Sequence, residues 1–137
     1  MNIVIKDYDN FKMEQILQLY NSVGWTNYTK NPSMLEAAIK HSLKTLAAFV
    51  EDRLVGLIRV VGDGYSVIYI QDIIVSPEYQ RNGLGKMLIC ELDTLYPNVY
   101  QKVLLTDNQP LSIHFYKRCG FALSNDFHCV AFVKFSS

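Results

Sequence analysis

The stretch SPEYQRNGLGKML, residues 76–88, determines how the rest of the chain is interpreted. It places Gly83 and Gly85 beside the positively charged Arg81 and Lys86. Apolar residues at helical spacing begin directly behind the second glycine, so a helix is predicted to start inside this stretch. Bare backbone and positive charge therefore coincide at the start of a helix.

The run in front of this turn, YSVIYIQDIIVS (residues 65–76), is the most strand-like in the chain, and Pro77 closes it. A strand, a short loop, glycines and a helix together form a site for an anion. The first N–H groups of a helix have no backbone partner, and the helix dipole adds about half a positive charge there. Glycines let a phosphate approach these amides closely. We predict a bound phosphate group; the alternative is a surface turn that only caps the helix.

Two well-known nucleotide motifs do not fit the turn. A P-loop needs Ser or Thr after Gly-Lys and a glycine five residues before the second one, but Met87 and Gln80 occupy these positions. A dinucleotide fingerprint needs a third glycine where Leu88 stands. The predicted phosphate therefore belongs to another ligand class.

The remaining patterns predict a mixed α/β sheet in one domain, residues 1–137. NIVIK is a strand, and two apolar runs around Glu51-Asp52-Arg53 form a hairpin that ends at the turn Gly62-Asp63-Gly64. The order is β-α-α-β-β-β-α-β-α-β. The other predicted segments are a helix ending near Gly24, a helix in NPSMLEAAIKHS, the helix GLGKMLICELDTLY, the strand QKVLLT, the helix PLSIHFYKRCGF and a terminal strand HCVAFVKF.

Composition argues against several function classes. The 13 basic and 13 acidic residues cancel, whereas a nucleic-acid-binding protein normally has a basic excess. No apolar run approaches the roughly 20 residues of a membrane helix, and the N-terminus has no signal-peptide pattern. The histidines have no metal-ligand spacing, so no metal is expected. Cys90, Cys119 and Cys129 are expected to be buried, reduced thiols, which fits a cytoplasmic protein.

IIVSPEYQRNGLGKMLI resembles the acetyl-coenzyme A-binding motif of the GNAT superfamily of N-acetyltransferases, Gln/Arg-x-x-Gly-x-Gly/Ala. FYKRCGF (residues 115–121) resembles the second signature of that family, an aromatic-Tyr-x-x-x-Gly-Phe helix end. The two occur in the family's order, so the resemblance covers essentially the whole chain. LYNSVGWTNYT and LVGLIRVVGDG also look like a small bacterial and plastid subgroup.

The resemblance implies a GNAT-like fold with about four flanking helices and acetyl-CoA as cosubstrate. The pantetheine arm would pair like an extra strand with the backbone of Ile73 to Val75. It would enter the gap where strand 65–76 and strand 101–106 diverge. A bulge in the first strand would aim an N–H group at the thioester carbonyl. An asparagine beside the arm would correspond to Gln109 or its neighbour Asn108. The cofactor-binding residues implied in this way are Ile73, Ile74, Val75, Gln80, Arg81, Asn82, Gly83, Leu84, Gly85, Lys86, Asn108 and Gln109.

Acetyl transfer to an amine needs a neutral amine, a donor for the oxyanion and stabilisation of the departing thiolate. For the oxyanion we expect the N–H of Ile74 or Val75. For the thiolate, the resemblance implies Tyr116. A phenol with a pKa near ~10 transfers its proton only uphill to a thiolate whose acid has a pKa near ~8.5, so a hydrogen bond is as good a description as full transfer.

The acceptor side is less defined. Gln71 stands where relatives that acetylate polyamines carry an acid, and an amide cannot take a proton. Asp72 is expected to bind a cationic amine or to draw its proton through water; the alternative is a salt bridge to a cation such as Arg59. The acceptor pocket is expected to be lined by Tyr69, Gln71 and, in the loop between the first two helices, Trp25 and Tyr28. The alternative for Trp25 and Tyr28 is ordinary anchoring of that loop.

The sequence thus predicts an acetyl-CoA-dependent N-acetyltransferase that acts on a primary amine, leaning toward a small molecule, by direct attack in a ternary complex. The alternative is a non-catalytic coenzyme A-binding sensor or subunit of the same fold. Many relatives dimerise, so a homodimer stays open, with the terminal strand as a candidate edge. Nucleic-acid and membrane partners are not expected.

Overall fold

The computed structural model describes residues 2–136. Residue contacts divide the chain into two compact units, with the boundary between Leu105 and Thr106. The larger unit holds every strand of the described chain, and the smaller unit holds one α-helix and the C-terminal segment. Each unit is described by itself.

The larger unit combines a mixed sheet with helices that follow the predicted order. Its strands are β1 (Ile3–Asp7), β2 (Lys44–Val50), β3 (Arg53–Gly62), β4 (Val67–Val75) and β5 (Gln101–Leu104). Its helices are α1 (Met13–Ser22), α2 (Thr26–Thr29), α3 (Pro32–Lys40) and α4 (Leu84–Leu95), with a 3-10 turn at Pro77–Tyr79. The short α2 lies where the sequence predicted a loop.

The strands lie in the order β1-β2-β3-β4-β5, and the first three pairings are antiparallel while β4 and β5 are parallel. This confirms the predicted mixed sheet. The parallel ladder is short: it runs from the pair Val67 and Gln101 to the pair Ile70 and Leu104. From Gln71 onward the ladder partner of β4 is β3 alone. The parallel ladder therefore ends before the second half of β4, and the divergence that the resemblance implied stays a prediction.

A β-bulge lies in β4, where the resemblance placed one. Arg59 of β3 faces Asp72, but the next residue, Val60, faces Ile70, so Gln71 is the additional residue. The buried residues of β4 fall at positions 68, 70, 72 and 74, while Gln71 is exposed. The only polar member of this buried row is Asp72, which therefore needs a partner inside the protein.

The main core lies where α1 and α3 pack on the sheet. Tyr20 and Ile16 of α1 and Leu35 of α3 are completely buried there. α4 buries a separate stripe at helical spacing, formed by Leu84, Leu88, Ile89 and Leu92. Each fully buried aliphatic side chain contributes about 1.5–3 kcal/mol, so packing fixes the start of α4 relative to its own sheet.

The smaller unit contains α5 (Pro110–Arg118) and a 3-10 turn at Ser124–Phe127. Proline starts α5 and a glycine ends it, as predicted: the Phe121 N–H donates to the Tyr116 carbonyl at 3.0 Å across Gly120. The predicted strand HCVAFVKF is wrong, because residues 129–136 form no strand in the described chain. A strand pattern becomes a strand only when a neighbour accepts its backbone hydrogen bonds.

The cysteine expectation is partly wrong. No disulfide occurs within residues 2–136, but Cys90 and Cys129 are exposed rather than buried. Cys90 lies on the outward side of α4, between buried Ile89 and exposed Glu91. No helix in the described range is long and apolar enough to cross a membrane.

Candidate active site

The glycine-rich turn has an unusual backbone. Arg81 and Gly83 both have left-handed φ angles, 68° and 77°, and Gly83 is the residue that precedes the first turn of α4. No side chain caps that helix start. A Cβ built on Gly83 would have no heavy atom within 4 Å, so the space above this residue is open. The turn thus presents backbone rather than side chains at the helix start.

The amides at this helix start are available to a ligand. The Met87 N–H donates to the Gly83 carbonyl at 3.0 Å, and this closes the first turn of α4. The N–H groups of the three residues between them precede any intrahelical acceptor. The Gln80 side chain donates from Nε2 to the Val75 carbonyl at 3.0 Å and ties the turn to the end of β4. The predicted residues from Gln80 to Lys86 thus lie in one continuous turn with uncapped amides, and an anion bound there stays a prediction.

The predicted contact strand for the cofactor arm is the second half of β4. Ile73, Ile74 and Val75 pair with β3 on one edge. The other edge lies beyond the end of the β5 ladder. Ile74 is buried, whereas Ile73 and Val75 are partly exposed. An extended ligand can form main-chain hydrogen bonds with such an edge.

Asp72 lies at the centre of a buried polar network. Its Oδ2 accepts from Arg59 Nε at 2.7 Å and from the Tyr20 hydroxyl at 2.8 Å, and its Oδ1 accepts from the Tyr28 hydroxyl at 3.1 Å. Asp72 is 2% exposed and Arg59 is 4% exposed. The salt bridge to Arg59, which the sequence left open, is the arrangement that the structure has. With three donors on this carboxylate, a direct role on the amine stays a prediction without a contact to support it.

The network keeps its phenols protonated. Burial, reinforced by the negative charge of Asp72, raises the pKa of Tyr20 well above its ordinary value, and the same causes raise the pKa of Tyr28. Burial disfavours the charge on Arg59, but the adjacent Asp72 outweighs it, so the pKa of Arg59 is raised. Both tyrosines therefore act as hydrogen-bond donors to a carboxylate and not as bases.

Three of the four predicted acceptor residues lie together at one end of this network. The Gln71 side chain donates to the Tyr28 hydroxyl at 3.0 Å. Trp25 packs on Tyr28 with ring centroids 6.3 Å apart, and on Tyr20 at 5.9 Å. The fourth, Tyr69, lies two residues before Gln71 on β4 and is partly exposed. A half-buried hydroxyl in an aromatic setting, with an exposed amide beside it, can recognise a polar group without supplying a charge.

The sequence did not identify Tyr20 as part of the site, because its position on the apolar face of α1 favours a core role. Ser42 was also missed; its hydroxyl accepts from Arg59 Nη1 at 3.2 Å. The sequence did contain one electrostatic indication of this buried network. Arg59 and Asp72 are opposite charges inside two neighbouring apolar strands, and such charges are expected to pair.

In the smaller unit, the ring of Tyr116 contacts two other aromatic rings. Its centroid lies 5.0 Å from that of Phe115 and 6.0 Å from that of Phe121. Burial, with a smaller contribution from the charge of Cys119, raises the pKa of Tyr116 to about 12. Its hydroxyl therefore stays protonated throughout the physiological range and can donate a hydrogen bond.

Asn108 and Gln109 lie just before α5, and both are exposed. Gln109 directly precedes the first turn of the helix, but its side chain does not cap it. Asp107 instead accepts from the Ser112 hydroxyl at 2.7 Å and fixes the loop at the helix start. The position of both amides beside a cofactor arm stays a prediction.

A cleft of about 340 Å³ lies elsewhere in the larger unit, between α1, the β2–β3 turn and the residues after β4. Its wall includes the ion pair of Arg53 and Glu78, with two contacts of 2.8 and 2.9 Å. None of the predicted site residues lines this cleft. No group of three His, Cys, Asp or Glu residues among positions 2–136 is placed to hold a metal ion.

Comparisons with known proteins agree with this geometry. The model of the acetyltransferase (GNAT) family matches residues 10–121, which include the glycine-rich turn and Tyr116. An uncharacterized N-acetyltransferase from Gracilaria tenuistipitata var. liui is 27% identical over 132 residues, covering 92% of this chain and 70% of the relative.

Solved structures extend the likeness. A GNAT-family acetyltransferase from Streptococcus pneumoniae TIGR4 is 39% identical, with a TM-score of 0.89 over 98% of both chains. The PaiA N-acetyltransferase from Thermoplasma acidophilum, solved with coenzyme A, is 18% identical, with a TM-score of 0.70 over 86% of this chain and 88% of the other. The latter likeness concerns the fold alone.

Removing one partner of the buried ion pair is expected to destabilise the protein strongly. Asp72→Ala leaves Arg59 buried and uncompensated, so we expect a loss of about 3–5 kcal/mol in the free energy of unfolding, measured by urea denaturation. The matched control is Asp7→Ala, which breaks the surface pair with Lys44 at 3.2 Å and should cost about 0–1 kcal/mol. Equal, small losses for both variants would contradict the structural role of Asp72.

Proposed function

Because this chain belongs to the acetyltransferase (GNAT) family, we propose that it transfers the acetyl group of acetyl-CoA to a primary amine of a small molecule. The observation that supports this most directly is the open helix start at Gly83, with bare amides beside Arg81 and Lys86. Within residues 2–136 no disulfide occurs, which fits the cytoplasmic location that we propose for this reaction.

The turn suits a diphosphate for three reasons. Its amides point away from the helix without a side-chain cap, its glycine leaves room for close approach, and the helix dipole favours negative charge. We propose that the amides from Arg81 to Lys86 hold the pyrophosphate of coenzyme A. The pantetheine arm then pairs with the edge of β4 at residues 73–75, beyond the end of the β5 ladder.

A methyl group at Gly83 should weaken coenzyme A binding. Gly83→Ala places its methyl in the open space where the phosphate approaches, and losing one charge-assisted hydrogen bond lowers the affinity about tenfold to hundredfold. Calorimetric titration with coenzyme A measures this change.

Gly24→Ala is the matched control for this titration. Gly24 has a φ of 78° and also has no heavy atom within 4 Å of a built Cβ, so the two variants share a backbone strain of about 1–2 kcal/mol. Only the variant at the turn should lose affinity. No uptake of coenzyme A by the folded wild-type protein would overturn the proposed function.

On the acceptor side, we propose that the amine is recognised in its neutral form beside Tyr28 and Gln71. Neither group is a base: Gln71 is an amide, and the Tyr28 hydroxyl already donates to Asp72. Asp72 acts as a positioning residue, since it holds this hydroxyl from the buried side. The amine nitrogen attacks the thioester carbon directly, and solvent removes its excess proton.

The reaction also needs a donor for the oxyanion and stabilisation of the departing thiolate, and other groups are proposed to provide them. An N–H of Ile74 or Val75, just past the bulge, is proposed to donate to the developing oxyanion. The Tyr116 hydroxyl is proposed to donate a hydrogen bond to the sulfur as the carbon–sulfur bond breaks. Its pKa of about 12 makes complete proton transfer to the thiolate unfavourable, so stabilisation by a hydrogen bond is the better description.

Removing the Tyr116 hydroxyl should slow turnover without weakening cofactor binding. We expect Tyr116→Phe to reduce kcat by roughly a hundredfold, within the range of positioned proton donors. The matched control, Tyr100→Phe, removes a hydroxyl from an 89% exposed ring and should be neutral. Because the Tyr116 phenol stays protonated to about pH 12, the wild-type rate should not fall near pH 10. Full activity of Tyr116→Phe across pH would show that the role is wrong.

The alternative is a coenzyme A-binding sensor or subunit without catalysis, favoured by Gln71 at the position of an acid. A thiol-release assay with acetyl-CoA over a broad panel of primary amines separates the two. Transfer without a protein base predicts that kcat/KM rises with pH until the amine itself is neutral. Tight cofactor binding with no thiol release from any amine would favour the alternative.

A further inference from the structure

The cleft between α1 and the β2–β3 turn, which we call the α1 cleft, has walls that are fixed by hydrogen bonds. The Gln15 side chain donates from Nε2 to the Asp52 carbonyl at 3.2 Å and joins the helix to the turn. Both terminal nitrogens of Arg53 donate to the Glu78 carboxylate, which joins the turn to the segment after β4. All four residues line the cleft, so contacts within the protein determine its shape.

The wall of the α1 cleft includes a hydroxyl that the protein does not use. Ser76 is 5% exposed, and its N–H donates to the Val55 carbonyl at 2.8 Å. Its hydroxyl does not cap the 3-10 turn that follows, and it forms no hydrogen bond within residues 2–136. Every sealed side-chain N or O atom in this range has a partner, so the hydroxyl is accessible from the cleft that Ser76 lines. A ligand in the cleft can supply the missing hydrogen bond.

The charges that line the α1 cleft favour a cation. Asp52, Glu78 and Arg53 together carry one net negative charge. Both terminal nitrogens of Arg53 are engaged by Glu78, so the charge of this guanidinium is already neutralised. The exposed Asp52 carboxylate has no ion-pair partner among the described residues. A positive charge placed beside this carboxylate is therefore stabilised.

Apolar side chains supply the rest of the surface. Leu19 of α1 and Leu54 of β3 are both buried where they line the cleft, and Pro77 is exposed beside them. Covering apolar surface with a carbon chain is favourable. The volume of about 340 Å³ lies at the lower end of pockets that hold small molecules. The cleft therefore suits a small molecule with a short carbon chain.

We propose that the α1 cleft is a second small-molecule site, which binds a short organic cation with an ammonium group at one end and a neutral polar group at the other. The ammonium pairs with Asp52, and the carbon chain covers Leu19 and Leu54. The neutral group forms a hydrogen bond with the Ser76 hydroxyl. Because none of the predicted active-site residues lines the cleft, the proposal does not depend on the proposed acetyl transfer.

Titration of the full chain with a linear aminobutanol at neutral pH, without acetyl-CoA, tests the site through the chemical shifts of backbone amides. This probe carries an ammonium and a hydroxyl at opposite ends, and we expect saturable shifts within residues 15–22, 52–54 and 76–78. The linear butanediol lacks the charge and should bind about tenfold to hundredfold more weakly, because a charge-assisted hydrogen bond is lost.

Three results of this titration would overturn the proposal. The first is the absence of saturable shifts in these ranges. The second is equal binding of aminobutanol and butanediol, which would exclude recognition of the cation. The third is a set of shifts confined to Tyr28 and Gln71, because the amine would then occupy only the proposed acceptor pocket.

Asp52→Asn tests the contact with the ammonium. It should weaken the binding of aminobutanol about tenfold to hundredfold, since the charged partner is lost. Glu51→Gln is the matched control, because it removes the same charge from the neighbouring exposed residue, which does not line the cleft. An equal loss of affinity in the control would show that only the general negative field attracts the probe, and the assigned contact would be wrong.

Ser76→Ala tests the contact with the neutral group. Because the Ser76 hydroxyl has no partner within the protein, the midpoint of urea unfolding should not change. The affinity for aminobutanol should fall roughly threefold to tenfold, the value of one neutral hydrogen bond. The affinity for butylammonium, which has no hydroxyl, should stay the same. Equal losses for both probes, or no loss for either, would contradict the proposed placement of the ligand.

Discussion

The buried ion pair between Arg59 and Asp72 is the constraint around which the polar network of Tyr20, Tyr28 and Gln71 is organised. These two opposite charges lie in adjacent apolar strands, 2.7 Å apart and almost completely buried, and they neutralise one another. The carboxylate also accepts hydrogen bonds from Tyr20 of α1 and Tyr28 of α2. A helix, a short turn of helix and two strands are therefore fixed at one point, and the hydroxyl of Tyr28 is held in a defined position.

A β-bulge brings this network to the surface. Because Gln71 is an additional residue in β4, its side chain is exposed while Asp72 keeps its place in the buried row. The amide of Gln71 then meets the Tyr28 hydroxyl from the solvent side. One irregularity of the backbone thus separates a charged, buried half of the network from a neutral, accessible half. This separation is the basis on which a neutral amine is proposed as the acceptor.

Two parts of β4, the bulge at Gln71 and the residues after it, carry the contacts on which the proposed function depends. At its second half the parallel ladder with β5 has ended, and an unpaired backbone edge leads to the turn at Gly83. Packing of Leu84 and Leu88 fixes α4, so the uncapped amides at its start are held in place. Under the proposed function, the same strand carries the backbone contacts of the cofactor and, at the bulge, the polar contacts of the acceptor.

The amino-acid sequence alone determined the glycine-rich turn, the elements around it, the mixed sheet and the family, because glycine spacing and apolar periodicity are local properties. It could not determine that Asp72 pairs with Arg59 and Tyr20, since these residues are 13 and 52 positions apart and only the packed sheet brings them together. For the same reason the sequence wrongly predicted a C-terminal strand. The residues favour a strand, but a strand forms only where another strand completes its backbone hydrogen bonds. The sequence thus determines the local conformational preference of each segment, and the tertiary structure determines which distant residues contact one another.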